Sequence, residues 1–293
     1  MNGIFAGNAL IALGAAVLWG GGDFSGGMGV KASGGTMRAA LRIVLLSHTT
    51  SFLVLLFIAH VRGDLFPQMP YLTWGIGGGV LGGLSLTAFY IALSRGGMGA
   101  SAAISGLLAA AIPAAVATVQ QGFPGVRPLI GFVVAGVAIW LIAAGDAAEE
   151  ATSTMLLAIG AGTGFGLYFV ALKMASPAGV VWPMATARMG SLSTCALVAA
   201  AMALFGAKEA PGTTRVGRRG VLWALSTALL DTSGNLMFVE STRLGRLDVA
   251  AVLASLYPAS TILLAAVTLG ERPTGRQGLG MAIAVVAVLL IAY

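Results

Sequence analysis

The chain has 293 residues, of which 58% are hydrophobic and 9% charged, with a formal net charge of +6, a pI near 10.0 and a mean hydropathy of +0.94. A soluble globular domain carries roughly 25% charged residues, so this chain cannot cover its surface with charge, and water is excluded as its solvent. The basic excess does not point to nucleic acid either, because Lys and Arg stand singly at the ends of apolar runs, where membrane proteins meet lipid headgroups.

Runs free of Asp, Glu, Lys and Arg cover residues 1–22, 43–61, 65–94, 96–126, 128–145, 151–172, 189–207 and 249–270. About 20 apolar residues cross a bilayer as a helix. Inside hydrocarbon the backbone must bond to itself, which leaves helices or a closed barrel. Period-two alternation is absent and Leu and Ala dominate, so helices are predicted. Ten are read, at about 5–25, 36–59, 71–93, 98–119, 127–145, 154–174, 180–206, 219–241, 247–268 and 275–292. The breaks carry glycine, proline and charge, as at Gly96-Gly97, Gly122-Phe123-Pro124, Asp146 to Glu150, Lys208 to Arg219 and Glu271-Arg272-Pro273.

The first helix contains Trp19-Gly20-Gly21-Gly22-Asp23-Phe24-Ser25-Gly26-Gly27. A glycine run weakens a helix and lets a ligand approach closely, and interrupted membrane helices are where solute sites form. Asp23 is therefore a candidate solute or coupling carboxylate. The other reading ends the helix near Gly26 and leaves Asp23 at the interface. The second helix carries Arg42 two turns in and His48 near its middle. An ionisable group at bilayer depth costs about 2.5–3.5 kcal/mol on insertion scales. Arg42 thus needs a carboxylate, free carbonyls or an anionic solute, and Asp23 is a candidate partner. His48 is either a proton carrier, since its charge changes near neutral pH, or a hydrogen-bonded packing residue.

On the third helix Gly75, Gly79 and Gly83 stack at i, i+4 and i+8, which suits close helix packing in lipid or a face that slides. Gly160 and Gly164 do the same on the sixth. Pro113 in the fourth helix and Pro258 in the ninth each remove a backbone hydrogen bond and favour a kink, making them candidate hinges. Arg188 lies two turns into the seventh helix. Asp231 and Asn235 share a face of the eighth, either as the wall of a polar cavity or as a helix–helix hydrogen bond, with Glu240 further along. Trp19, Tyr90, Tyr168 and Tyr257 lie away from headgroup depth and could stack on a solute or simply pack. Trp74, Trp182 and Trp223 stand near helix starts, at the membrane interface.

Other chemistry finds no support in the residues. Cys195 is alone, so no internal disulfide and no cysteine metal cluster is expected. There is no Walker A pattern, no HExxH, no GxSxG and no dense His/Asp/Glu cluster, so no metal, no cofactor and no enzyme activity is expected. Met1-Asn2-Gly3 lacks a basic n-region and a small-residue cleavage site, so the first apolar stretch is expected to be retained.

The chain says nearly the same thing twice. Residues 14–47 fall on 160–193 at an offset of 146, pairing Arg42 with Arg188. Trp74, Phe89, Arg95, Gly97 and Gly122 fall on Trp223, Phe238, Arg243, Gly245 and Gly270 at 148–149, and Pro124 and Gly131 on Pro273 and Gly280. Asp23 has Phe169 as its mate, so a cavity between the copies is chemically asymmetric. Two repeats are read, 1–146 and 151–293. Five helices per repeat is an odd number, so the second must cross the membrane in the opposite sense, as an inverted-topology repeat. With the N-terminus inside, the inner loops hold Arg62, Arg127, Lys173, Arg243 and Arg246, and the outer loops hold more basic residues. The positive-inside rule prefers the reverse orientation.

These residues resemble the drug/metabolite transporter superfamily, in particular its EamA-type members. The resemblance spans nearly the whole chain. It rests on Leu269-Gly270-Glu271-Arg272-Pro273-Thr274 followed by Gln277 and Gly280, on Arg42 and Arg188 opening the second helix of each repeat, on Leu18-Trp19-Gly20, and on Pro113 and Pro258. It departs at Gln120-Gln121-Gly122-Phe123, where the second copy reads Thr268-Leu269-Gly270-Glu271 and so holds the acid of that corner alone.

The resemblance implies an all-α membrane protein of ten helices with both ends cytoplasmic and a central cavity lined by helices one to four and six to nine. It implies secondary transport of a small organic metabolite, an amino acid or related solute, most often exported, across the cytoplasmic membrane. Uptake or exchange by the same fold is the alternative, and a non-transporting scaffold a weaker one. The expected partners are the solute and the lipid bilayer, with no nucleic acid, in a monomer or loose homodimer.

Overall fold

The chain is almost wholly helical in its computed structural model, which describes residues 2–95, 98–143, 152–205, 216–270 and 272–292. The Gly96-Gly97 break, the acidic loop Asp146–Glu150 with the predicted boundary between the repeats, the stretch Lys208 to Arg215, and Glu271 lie outside those residues. The described helices are α1 (Asn2–Ala32), α2 (Met37–Arg62), α3 (Met69–Arg95), α4 (Met98–Gln121), α5 (Val126–Ala143), α6 (Thr152–Ala175), α7 (Val181–Phe205), α8 (Arg218–Leu244), α9 (Leu247–Ala254), α10 (Tyr257–Leu269) and α11 (Gly275–Ala292). Thr36 caps α2 by accepting from the Ala39 N–H at 3.1 Å, and Gly63 ends it in the left-handed conformation, at φ 68°. Among the described residues, counting α9 and α10 as one span, seven helical segments are long and apolar enough to cross a membrane, and Val126–Ile142 and Gly275–Ile291 are shorter apolar helices. Absent from both groups is α8, which carries Asp231, Asn235 and Glu240 among its Thr and Ser residues.

Two sequence expectations are corrected. The ninth predicted helix, 247–268, is two helices, α9 and α10, broken at Ser255 and Leu256. Pro258 stands in the first turn of α10 and has no N–H to give to the carbonyl four residues back. The turn is closed instead by Ser255 N–H to Ala251 O at 2.9 Å and Leu256 N–H to Leu253 O at 3.2 Å. Pro113, by contrast, lies inside α4, which continues past it.

The second correction concerns the glycine run, because α1 passes through Gly20, Gly21 and Gly22 without a break. The absent side chains serve helix packing. A Cβ on Gly20 would fall 2.4 Å from Ser260 Cβ and 2.7 Å from the Tyr257 carbonyl, and one on Gly22 would fall 3.2 Å from the Asp231 nitrogen. Tertiary contact, which supplies most helical stability, outweighs the local cost of glycine here.

The helix pairings recur with the halves exchanged. Close approaches of Gly14 to Met237, Gly22 to Asp231 and Gly29 to Trp223 run α1 antiparallel to α8. Approaches of Gly78 to Ala171, Gly82 to Tyr168 and Gly164 to Ser85 run α3 antiparallel to α6 in the same way. At the periphery Gly131 of α5 meets Ile291 of α11, while its repeat-mate Gly280 meets Ile142 of α5. Phe89 and Phe238, also mates, are both fully buried in the central cluster.

Candidate functional site

A narrow cavity lies where α1, α2, α3, α6, α7, α8 and α10 converge. Its lining includes Trp19, Asp23, His48, Phe165, Tyr168, Phe169, Arg188, Ser191, Asp231, Asn235 and Tyr257, with Gly79, Gly82 and Gly83 forming a floor without side chains. The space open to the centre of a water molecule is about 40 Å³, room for a few waters at most. A solute larger than that needs the helices around it to part.

One wall is a continuous polar network around Arg188, which is buried at 4% exposure. Its Nε donates to Ser51 Oγ at 2.9 Å, its Nη1 contacts His48 Nε2 at 2.9 Å, and its Nη2 pairs with Asp231 Oδ2. A guanidinium only donates, so His48 Nε2 must accept. The imidazole then carries its proton on Nδ1 and gives it to Ser191 Oγ at 2.7 Å, and Ser191 in turn donates to the Arg188 carbonyl at 3.1 Å. Asn235 donates to Asp231 Oδ1 at 3.0 Å and to its carbonyl at 2.7 Å, and Tyr168 Oη donates to Asn235 Oδ1 at 3.0 Å. Every ionised group of this wall is therefore compensated, which is what makes burying it tolerable.

Asp23 stands apart. Its side chain lines the cavity, the residue is 8% exposed, and it makes no hydrogen bond or ion pair with any described residue. The cavity also has an aromatic lining. Trp19 stacks on Phe169 with centroids 4.9 Å apart and planes 1° apart, and Phe238 packs against both. Tyr257 is anchored by Ser105 Oγ at 2.7 Å and by the Ala102 carbonyl at 3.2 Å.

The cavity thus gathers Trp19, Asp23, His48, Tyr168, Arg188, Asp231, Asn235 and Tyr257 from the sequence candidates. It does not gather Arg42, which is half-buried on α2 and absent from the lining, although its repeat-mate Arg188 is central. Tyr90 is fully buried behind the wall against α1, where a Cβ on Gly26 would touch its ring at 2.2 Å, and its hydroxyl has no partner among the described residues. Glu240 is paired with Arg243 at 3.0 Å near the end of α8, outside the cavity. Sequence reasoning missed Ser51 and Ser191. Each lies three residues after a site residue, His48 or Arg188, on the same helical face, and that spacing was the available signal.

A helical bundle with several membrane-length spans and a charged, hydrogen-bonded cavity at its centre is a multi-pass integral membrane protein. Residues 152–293 match the EamA-like transporter family, and this match over the second half of the chain supports an EamA-type membrane protein of the drug/metabolite transporter superfamily. One solved structure, described only as the crystal structure of a protein, superposes with a TM-score of 0.71 over 97% of this chain and 95% of its own, at 18% identity. At that identity the likeness is one of fold. No curated protein matches the chain in sequence.

Proposed function

We propose that the protein is a secondary transporter that moves a small organic metabolite across the cytoplasmic membrane by alternating access, with export as the working direction. The observation that carries this reading is the exchange symmetry of the helix contacts. The pairing of α1 with α8 recurs as that of α6 with α3, and α5 and α11 meet through repeat-mates, Gly131 to Ile291 and Gly280 to Ile142. Such pairing is what two inverted five-helix repeats, 1–146 and 151–293, produce, with the split α9 and α10 together serving as one span. Inverted repeats can trade conformations about an axis in the membrane plane, which opens the central site to opposite sides in turn. The cavity at the junction, narrow as it is, supplies the site that must be held while the halves rock.

The test begins with a thermal-stabilisation screen of purified protein against metabolites, since a ligand of the folded state raises its melting point. A stabilising solute is then followed in proteoliposomes by counterflow. Accumulation of labelled solute against an unlabelled load supports the reading, and no accumulation above protein-free vesicles overturns it. Imposed gradients of either sign separate export from uptake.

A further inference from the structure

The central cavity is built for a positively charged solute. We infer that it takes an organic ammonium ion, with Asp23 as its counter-ion and the Trp19–Phe169 stack and Tyr257 as its aromatic wall. The inference deepens the transport reading and rests on the central cavity being the solute site.

Two carboxylates and one guanidinium line the cavity among the described residues. The guanidinium is already engaged: Arg188 holds Asp231, Ser51 and His48, using all three of its nitrogens. Asp231 has a second donor in Asn235. His48 is neutral in this arrangement, because the nitrogen facing Arg188 accepts. A charge on Asp23 would be left without compensation. It is more than nine-tenths buried, faces the cavity, and has no hydrogen-bonding or ionic partner among the described residues. A carboxyl so placed is neutral only with a proton on it and charged only with a cation beside it.

The surroundings of Asp23 select the kind of cation. A strongly hydrated metal ion needs several oxygen ligands, and the cavity that Asp23 faces is lined by Trp19, Phe165, Phe169 and Tyr257 as well as by Asp231. Aromatic faces next to a carboxylate suit an ammonium on a carbon frame, which gains from the ring quadrupole as well as from the charge. Trp19 and Asp23 are four residues apart on α1 and so present both features on one helical face. The same geometry disfavours a zwitterion. An amino acid could place its ammonium at Asp23, but its carboxylate would have to compete with Asp231 for Arg188.

The experiment uses the full chain, purified in detergent, and three probes of one shape: benzylamine (cationic at neutral pH), benzyl alcohol and benzoate. Binding is read by calorimetry and by quenching of tryptophan fluorescence, independently of transport. The expected result is that benzylamine binds at least tenfold tighter than the other two, and that Asp23→Asn removes this preference while Asp23→Glu keeps it. Equal or tighter binding of benzoate, no preference among the three, or no binding of any would overturn the inference. The wild-type comparison decides the matter even where Asp23→Asn fails to fold. Amine-selective binding without counterflow would leave the inference standing and sink the transport reading instead.

Discussion

Arg188 and Asp231 meet between α7 and α8 as an ion pair whose side chains are 5% and 14% exposed. The pair closes a network that also holds His48, Ser51, Ser191 and Asn235. Removing one partner of a buried pair leaves the other uncompensated, at a cost of about 3–5 kcal/mol. Arg188→Met is therefore expected to lower the melting point of the purified protein sharply. Arg188→Met combined with Asp231→Leu should recover part of that loss, because no lone carboxylate remains. A double variant no more stable than Arg188→Met would show that the pair's charge is not what the fold depends on.

His48 is held as an acceptor on one nitrogen and a donor on the other. Gln can offer both roles on one side chain, whereas Leu offers neither. His48→Leu is expected to cost about 1–3 kcal/mol, the penalty for buried groups left unbonded, and His48→Gln clearly less. Denaturant midpoints of the two variants against wild type give the comparison. A His48→Leu protein as stable as wild type would contradict the bonding scheme.

The sequence made the composition, the helices and the doubling legible, because each rests on patterns spread over many residues. It also exposed Asp23, Arg188, Asp231 and Asn235, since polar groups stand out in apolar spans. What it could not show was which of two matched arginines turns inward. Arg42 and Arg188 are equivalent by repeat, yet of the two it is Arg188 that lines the cavity, where it pairs with Asp231 of α8. That difference is set by which helix packs opposite, information absent from either copy alone. The glycine run of α1 misled for the same reason: its local effect is to weaken the helix, while its role in the fold is to admit α8 and α10. The break at Pro258 and the continuity at Pro113 show the limit again, since one residue type gives two outcomes in matched helices.

The glycine face of α3 provides its own control. A Cβ on Gly79 would lie 1.9 Å from the Ala187 carbonyl oxygen, a backbone atom that cannot turn aside, whereas a Cβ on Gly77 meets nothing within 4 Å. Gly79→Ala must push α3 from α7 and is expected to cost about 1–3 kcal/mol, the range for overpacking. Gly77→Ala should be neutral or gain about 0.5–1 kcal/mol from helix propensity. Melting points of the two single variants, measured in one detergent, check this. Equal effects would mean that the close approach of α3 and α7 is not a feature of the folded protein.

Two Arg–Asp pairs separated by one residue each allow burial to be weighed against sequence spacing. Arg62 and Asp64 lie 3.1 Å apart with side chains 62% and 27% exposed, while Arg246 and Asp248 lie 2.7 Å apart at 23% and 0%. Arg246 also donates to the Gln121 carbonyl at 3.2 Å and the Gly122 carbonyl at 2.8 Å, so it ties the end of α4 to the start of α9. Exposed pairs contribute about 0–1 kcal/mol, and Arg62→Gln should hardly move the melting point. Arg246→Gln leaves Asp248 buried without its cation, and a loss of about 3 kcal/mol is expected. Arg246→Lys should fall between the two, because an ammonium restores the charge but lacks the planar fork that reaches a carboxylate and two carbonyls at once. If Arg246→Lys were as damaging as Arg246→Gln, the carbonyl contacts rather than the charge would hold this joint. If both were harmless, the joint would contribute nothing to the fold.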